Sequence, residues 1–221
     1  EGMSLYEFQE KYGTEQQCRD ALVALRWPSG FECPACGYGN GGFIKTRDLY
    51  QCYRCAHQSS VTAGTIFHAT KLPLRKWFLA IYFITQGKNG VSALELMRVL
   101  GVGYNAALRM KHKIMHVMLK RNNSKKLDGD VQVDDAYLGG EQAGGKRGRG
   151  AKSKKPFVAA VKTQKGHPVQ IQLSCVSRFS RKEIERWGLQ HIEPESRVVS
   201  DGLHCFNGFA DAGCSHTSIV T

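Results

Sequence analysis

VQVDDAYLGG, residues 131–140, is the stretch on which the reading of this chain turns. Val131 and Val133 alternate with polar neighbours, the period-two pattern of a strand with one buried face. Asp134 and Asp135 then place two carboxylates side by side where strand propensity disfavours aspartate, and Gly139 and Gly140 end the run. Successive side chains on a strand point to opposite faces, so Asp135 shares the face of Val131 and Val133 while Asp134 takes the other.

The strand predicted over 130–138 has company downstream. Further strand-like runs cover 156–163, 168–176 and 196–200, and a helical segment from Arg181 to Leu189 precedes the last of them. Strand, strand, strand, helix, strand is the order of a ribonuclease-H-like core, in which the first and fourth strands are neighbours. VVSDGL, residues 198–203, ends the fourth strand in Asp201 just before a glycine turn. Asp134 and Asp201 could therefore come within metal-bridging distance, although spacing alone fits equally well an Asp201 that merely opens a turn and an Asp134 exposed at an edge; only one of the two adjacent acids can face Asp201 across the sheet. Paired carboxylates on rigid strands suit Mg²⁺, an oxygen-seeking ion that keeps waters and substrate phosphates in its shell. Two such ions about 3.5–4 Å apart serve phosphoryl transfer by activating an attacking oxygen and stabilising the leaving one.

Working back towards the N-terminus, CPAC at 33–36 and CYRC at 52–55 form two CxxC pairs with 15 residues between them. A two-residue gap lets both thiolates of a knuckle reach one tetrahedral ion. Two knuckles make a closed four-sulfur zinc site from Cys33, Cys36, Cys52 and Cys55. A closed shell is structural, so this ribbon is a docking module rather than a catalyst. Short strands are expected at Gly42–Lys45, Leu49–Cys52 and Ser60–Phe67. Ahead of the ribbon, residues 4–28 read as helical, with Thr14 and Gln17 in capping-box register and Pro28 and Gly30 as breakers.

Between ribbon and core, residues 71–121 are helical in pattern. VSALELMRVLGVGYNAALRMKHKIMHVM, residues 91–118, has Ser92 and Glu95 in capping-box register, a stop at Gly101 and a new start near Tyr104 or Asn105. A helix, a short glycine turn and a basic second helix have the grammar of a helix-turn-helix. Arg109, Lys111 and Lys113 would face DNA, and Met110, Met115 and Met118 would be core.

Composition agrees with this division. A formal net charge of +12 over 221 residues predicts attraction to polyanions. The biased stretch at 144–156 carries Lys146, Arg147, Arg149, Lys152, Lys154 and Lys155, a set able to clamp a phosphate backbone beside the acids, though as a bare charge run it reads equally as a solvated loop. No apolar run approaches a membrane span, and no export signal opens the chain. With half of the 8 cysteines in CxxC pairs, a reducing cytoplasm is expected. Cys18, Cys175, Cys205 and Cys214 read as packing residues, and the 8 histidines show no ligand spacing. The residues by themselves fit three activities: a transposition enzyme, a zinc-ribbon DNA-binding regulator, or a nuclease of related fold.

CPACG…QCYRC, TAGTIFHATKLPLRKWFLAIYFI, VDDAYLGG, KRGRGAKSKKPFVAAV and VVSDGLHCF occur in this order over nearly the whole chain. In them the sequence resembles insertion-sequence transposases of the DDE superfamily, in the branch with an N-terminal zinc ribbon. The resemblance implies a multidomain α+β protein: an N-terminal helical segment (1–30), a zinc ribbon (31–69), a helix-turn-helix domain (70–124) and an incomplete ribonuclease-H-like catalytic core (128–221). It implies structural Zn²⁺, catalytic Mg²⁺, binding to terminal inverted repeats and target DNA, strand cleavage and transfer, a homo-oligomer, and a place at the nucleoid of a prokaryotic cytoplasm. Residue by residue, the family's first catalytic aspartate falls on Asp134 and its second on Asp201. Asp135 occupies a neighbouring acidic position that is not the family's metal ligand. The family's third active-site residue, a Glu or Asn on a later helix, has no match before the closing CSHTSIVT. If Thr221 is the true end, DNA binding without efficient strand transfer is expected.

Overall fold

The computed structural model describes residues 2–87, 90–139 and 154–219. They form a mixed α and β protein whose chain divides into two compact units, Glu1–Met118 and Leu119–Thr221.

The first unit opens with two helices where the sequence reading expects one. Helix α1 (Leu5–Tyr12) starts at a reciprocal capping box between Ser4 and Glu7, and α2 (Glu15–Arg26) starts at a second one between Thr14 and Gln17. An N-cap residue has extended backbone, here φ −118° and ψ 156° at Thr14. A working cap inside a helical pattern therefore divides it. The ribbon follows as a three-stranded antiparallel sheet of β1 (Gly41–Ile44), β2 (Leu49–Cys52) and β3 (Gln58–Ser59).

Ser60–Phe67, expected as a strand, is instead a chain of turns. Backbone N–H groups of Ala63, Thr65, His68 and Thr70 each donate to the carbonyl three residues back. The hydroxyls of Thr65 and Thr70 accept from the N–H groups of Phe67 and Leu72. Threonine's β-branch favours strands, but its hydroxyl offers the backbone these local partners, and here the hydroxyl prevails. Val61 and Phe67 are still buried in the core of this unit.

Helix α3 (Leu74–Gln86) has Pro73 at its N-cap, with no side-chain bond of its own there. Glu15, from the first turn of α2, supplies the missing acceptors: its two carboxylate oxygens take the N–H groups of Leu74 at 2.7 Å and Arg75 at 3.0 Å. Helix α4 (Ala93–Leu100) is capped by Ser92, which accepts from Glu95 N–H at 3.0 Å, and ends at Gly101 in the left-handed conformation. After that turn comes the long α5 (Tyr104–Asn123). The core joins Cys18 and Leu22 of α2, Trp27, Val61, Phe67, Trp77 and Ala80 of α3, Leu96 and Leu100 of α4, and Ala107, Met110 and Ile114 of α5. Met110 is buried as expected, whereas Met115 and Met118 are exposed. Helical spacing turns Met115 about 100° from Ile114, whereas Met118, four residues past Ile114, keeps the face of Ala107 and Ile114 and is exposed all the same.

The second unit is a five-stranded sheet in the order β6-β5-β4-β7-β8. Strands β4 (Asp130–Leu138), β5 (Lys155–Gln164) and β6 (His167–Cys175) are antiparallel. Helix α6 (Arg181–His191) then crosses over to β7 (Arg197–Ser200), which pairs parallel to β4, so the first and fourth strands of the unit are neighbours as expected. A 3₁₀ turn (His204–Asn207), the short α7 (Gly208–Asp211) and a fifth strand, β8 (Ser215–Ser218), parallel to β7, complete the unit. The core takes Val131 and Val133 from β4, Val158 and Ala160 from β5 and Val198 from β7. Ile184, Trp187, Phe206 and Phe209 cover them. Among the described residues of this unit, one polar residue is wholly buried: Gln172 on β6, held by Asn122, Asn123 and Ser174.

Candidate metal centres and nucleic-acid interface

The ribbon brings its four cysteines together as the spacing predicts. Cys33 and Cys52 are buried, and Cys36 and Cys55 are exposed. The sulfurs of Cys33 and Cys55 are 3.6 Å apart, and those of Cys36 and Cys52 are 3.7 Å apart. Four sulfurs around zinc, each bond about 2.3 Å long, stand about 3.8 Å from one another, so this donor set fits a structural zinc ion. Burial by itself would raise the Cys52 thiol. The N–H groups of Cys55 and Arg54 and the neighbouring thiols outweigh it and bring the thiol down to about 7. The Arg54 N–H lies 3.3 Å from that sulfur.

In the second unit, ligand oxygens of Asp134, Asp135 and Asp201 all lie within 4.8 Å of one another. The topology explains the meeting. The last parallel pair between β4 and β7 is Val133 with Ser200, so Asp134 and Asp201 are the next residues along two adjacent strands. The Asp134 carboxylate accepts from the backbone N–H of Asp135 at 2.8 Å, and Asp201 accepts from the N–H of Leu203 at 3.1 Å. The expectation that strand alternation lets only one of the adjacent acids approach Asp201 is overturned, because Asp135 belongs to the same cluster. Three carboxylates at this spacing offer the oxygen donors that a Mg²⁺ ion takes.

Next to Asp201, Ser200 and His216 form a polar pair that no sequence pattern announces. The Ser200 hydroxyl lies 2.9 Å from the Asp201 carbonyl oxygen and 2.9 Å from Nε2 of His216. Burial holds the His216 imidazole below its ordinary value.

Of the cationic residues, Arg109 is exposed and Lys111 half-buried on α5. Lys113 is partly committed within the protein: its Nζ donates to the Ile66 carbonyl at 3.3 Å and stands 5.8 Å from the centre of the Trp77 ring. Lys155 opens β5 opposite Leu138, on the stretch of the hairpin beyond Asp134 and Asp135, and Lys154 precedes it. Lys146, Arg147, Arg149 and Lys152 lie outside the described residues. No described helix is long and apolar enough to cross a membrane.

Two stretches match known protein families: residues 13–58 match the transposase zinc-ribbon domain, and residues 126–221 match the ISXO2-like transposase domain. A relative from Halobacterium salinarum, described as an uncharacterized protein in transposable element ISH50, is 26% identical over 144 residues. That match takes in 64% of this chain and 48% of the relative, so the chain spans about half the relative's length.

Proposed function

We propose that this chain is an insertion-sequence transposase that binds the terminal inverted repeats of its element and cuts and joins DNA strands with Mg²⁺. The observation that carries this reading is the acidic cluster of Asp134, Asp135 and Asp201. It forms where β7 ends beside the middle of β4, just past the last parallel pair of the two strands and inside the segment that matches the transposase domain.

In this reading Asp134 and Asp201 hold the divalent ions, and Asp135 stands close enough to brace or share them. The ions supply the charge that activates an attacking oxygen and stabilises the leaving one during displacement at phosphorus. Asp201 is held in place by the N–H of Leu203 and Asp134 by the N–H of Asp135, so each keeps its second carboxylate oxygen for a ligand. Lys154 and Lys155 guide the DNA backbone past the acids. The zinc ribbon and the α4–α5 pair, with Arg109 and Lys111 foremost, grip the repeat. Clustered cations of this kind gain affinity by releasing counterions from the duplex. Pairing of two element ends calls for a homo-oligomer, and the site of action is the nucleoid.

The test is Mg²⁺-dependent nicking of a duplex ending in the element's terminal repeat by the protein that the element encodes. Asp134→Asn and Asp201→Asn should abolish nicking and leave binding to the repeat intact. Nicking by either variant at the wild-type rate refutes the assignment.

A further inference from the structure

We propose that His216 is a positioning residue for this acidic site, acting through Ser200 to fix the backbone from which Asp201 reaches a divalent ion. The proposal rests on the reading that Asp201 holds that ion.

Ser200 is the last residue of β7 and only 5% exposed. Its hydroxyl has a single hydrogen and two neighbours, the Asp201 carbonyl oxygen and His216 Nε2, each at 2.9 Å. A carbonyl can only accept, so the hydroxyl hydrogen goes to Asp201. The imidazole must then donate through Nε2–H. The result is a directed relay, His216 Nε2–H to Ser200 Oγ–H to Asp201 C=O. His216 comes from β8, the strand parallel to β7 on its far side from β4, where it pairs with Val198.

The relay stands where the β4–β7 ladder stops. Val133 with Ser200 is the last pair, so strand pairing between β4 and β7 does not reach Asp201. Two other bonds fix that residue: Ser200 grips its carbonyl, and the Leu203 N–H grips its carboxylate. A third valine after Val198 and Val199 would fill this buried position without a polar group to satisfy. The chain places a hydroxyl there and spends an imidazole on orienting it. Partners that orient a metal ligand from behind typically change metal affinity by about ten- to a hundredfold when removed.

The experiment measures Mn²⁺ affinity of the full chain by electron paramagnetic resonance, with thermal unfolding of the metal-free protein alongside. Asp201→Asn is the control on the underlying reading. His216→Leu keeps bulk without a donor, His216→Gln keeps an N–H donor at similar reach, and Ser200→Ala removes the middle of the relay. The expected result is binding about tenfold weaker in His216→Leu and Ser200→Ala, with affinity restored in His216→Gln. If His216→Leu does not fold, Ser200→Ala carries the comparison. Wild-type affinity in folded His216→Leu or Ser200→Ala, with binding lost in Asp201→Asn, overturns the proposal and leaves the metal reading standing. Equal weakening in the Gln and Leu variants also overturns it, because the ring's bulk rather than its N–H would then matter. Wild-type protein that does not bind Mn²⁺, or binding untouched by Asp201→Asn, overturns the metal reading and this proposal with it.

Discussion

Gly208→Ala should loosen the second unit from a position that carries no functional group. Gly208 has φ −62° and ψ −17°, ordinary values for any residue, so backbone strain does not enter. A Cβ built there would lie 2.3 Å from the Arg181 carbonyl oxygen and 3.0 Å from the Glu185 nitrogen. Both are backbone atoms in the first turn and a half of α6, and no rotamer change can move them. Restoring an ordinary contact requires α6 and α7 to part by roughly 1 Å, and overpacking of this kind costs about 1–3 kcal/mol. Phe206 and Phe209, fully buried and 5.8 Å apart, must give way with them. For a unit of this size each kcal/mol lowers the melting temperature by about 4–8 °C, so a fall of roughly 4–24 °C is expected by scanning calorimetry. Gly188→Ala is the internal control. Its Cβ would meet side-chain atoms, Ala212 Cβ at 3.0 Å and Phe209 Cδ1 at 3.2 Å. Replacing glycine inside α6 also returns about 1 kcal/mol of helix propensity, leaving that change close to neutral. The reasoning fails if Gly208→Ala melts with the wild type, or if Gly188→Ala does more harm than Gly208→Ala.

Two further outcomes follow from the sites themselves. Removing zinc with a chelator, or replacing Cys36 by Ser, should unravel the ribbon, because structural zinc contributes about 10–16 kcal/mol of folding free energy in comparable small domains. Trp27, in edge-on contact with Phe31 at 5.0 Å and Tyr50 at 4.9 Å, should report the loss by fluorescence, and an unchanged spectrum would count against a zinc-held ribbon. Acidification should destabilise the second unit through His191, whose imidazole is held below its ordinary value by burial first and by the Lys126 charge second. The unfolded chain then binds the proton first, so stability present above about pH 6.5 is lost as pH falls from there through the lower folded value. Thermal unfolding across that window should show a slope that His191→Gln flattens; equal slopes would clear His191 of the effect.

Much of the second unit is legible in the sequence because its strands combine alternation with clear punctuation. Val131 and Val133, Val158 and Ala160, and the glycine after Asp201 mark strands that the structure places with shifts of a residue or so. What escapes the sequence is structure that depends on a neighbour. Ser215–Ser218 has no apolar alternation and is a strand because β7 offers it a parallel edge. The turn-rich Ser60–Phe67 looks like a strand until its hydroxyls are counted as hydrogen-bond partners. Lys113 looks free on the helical pattern, yet Ile66, 47 positions earlier, takes its ammonium. The Ser200–His216 pair likewise joins residues 16 apart on two strands, where no local pattern could announce it.

The two acids of VQVDDAYLGG show where the alternation argument stops. Alternation separates neighbouring side chains above and below a continuous sheet, and it does so for Val131 and Val133, which are buried while Gln132 and Asp134 are exposed. At Asp134 the sheet is no longer continuous on the β7 side, since pairing ends at Val133 and Ser200. Asp201 therefore reaches the cluster from the end of its strand and not from one face. Asp134 leans along the chain to accept from the N–H of Asp135, and the carboxylates of both come within 4.8 Å of Asp201. Open ends of parallel strands are where α/β sheets hold their ligands, because groups destined for opposite faces can converge there. Asp134 and Asp135 still pair with Ala159 and Val158 of β5, so the pair is interior to β4 and serves one site only because the β7 side of that strand is open from Asp134 onward.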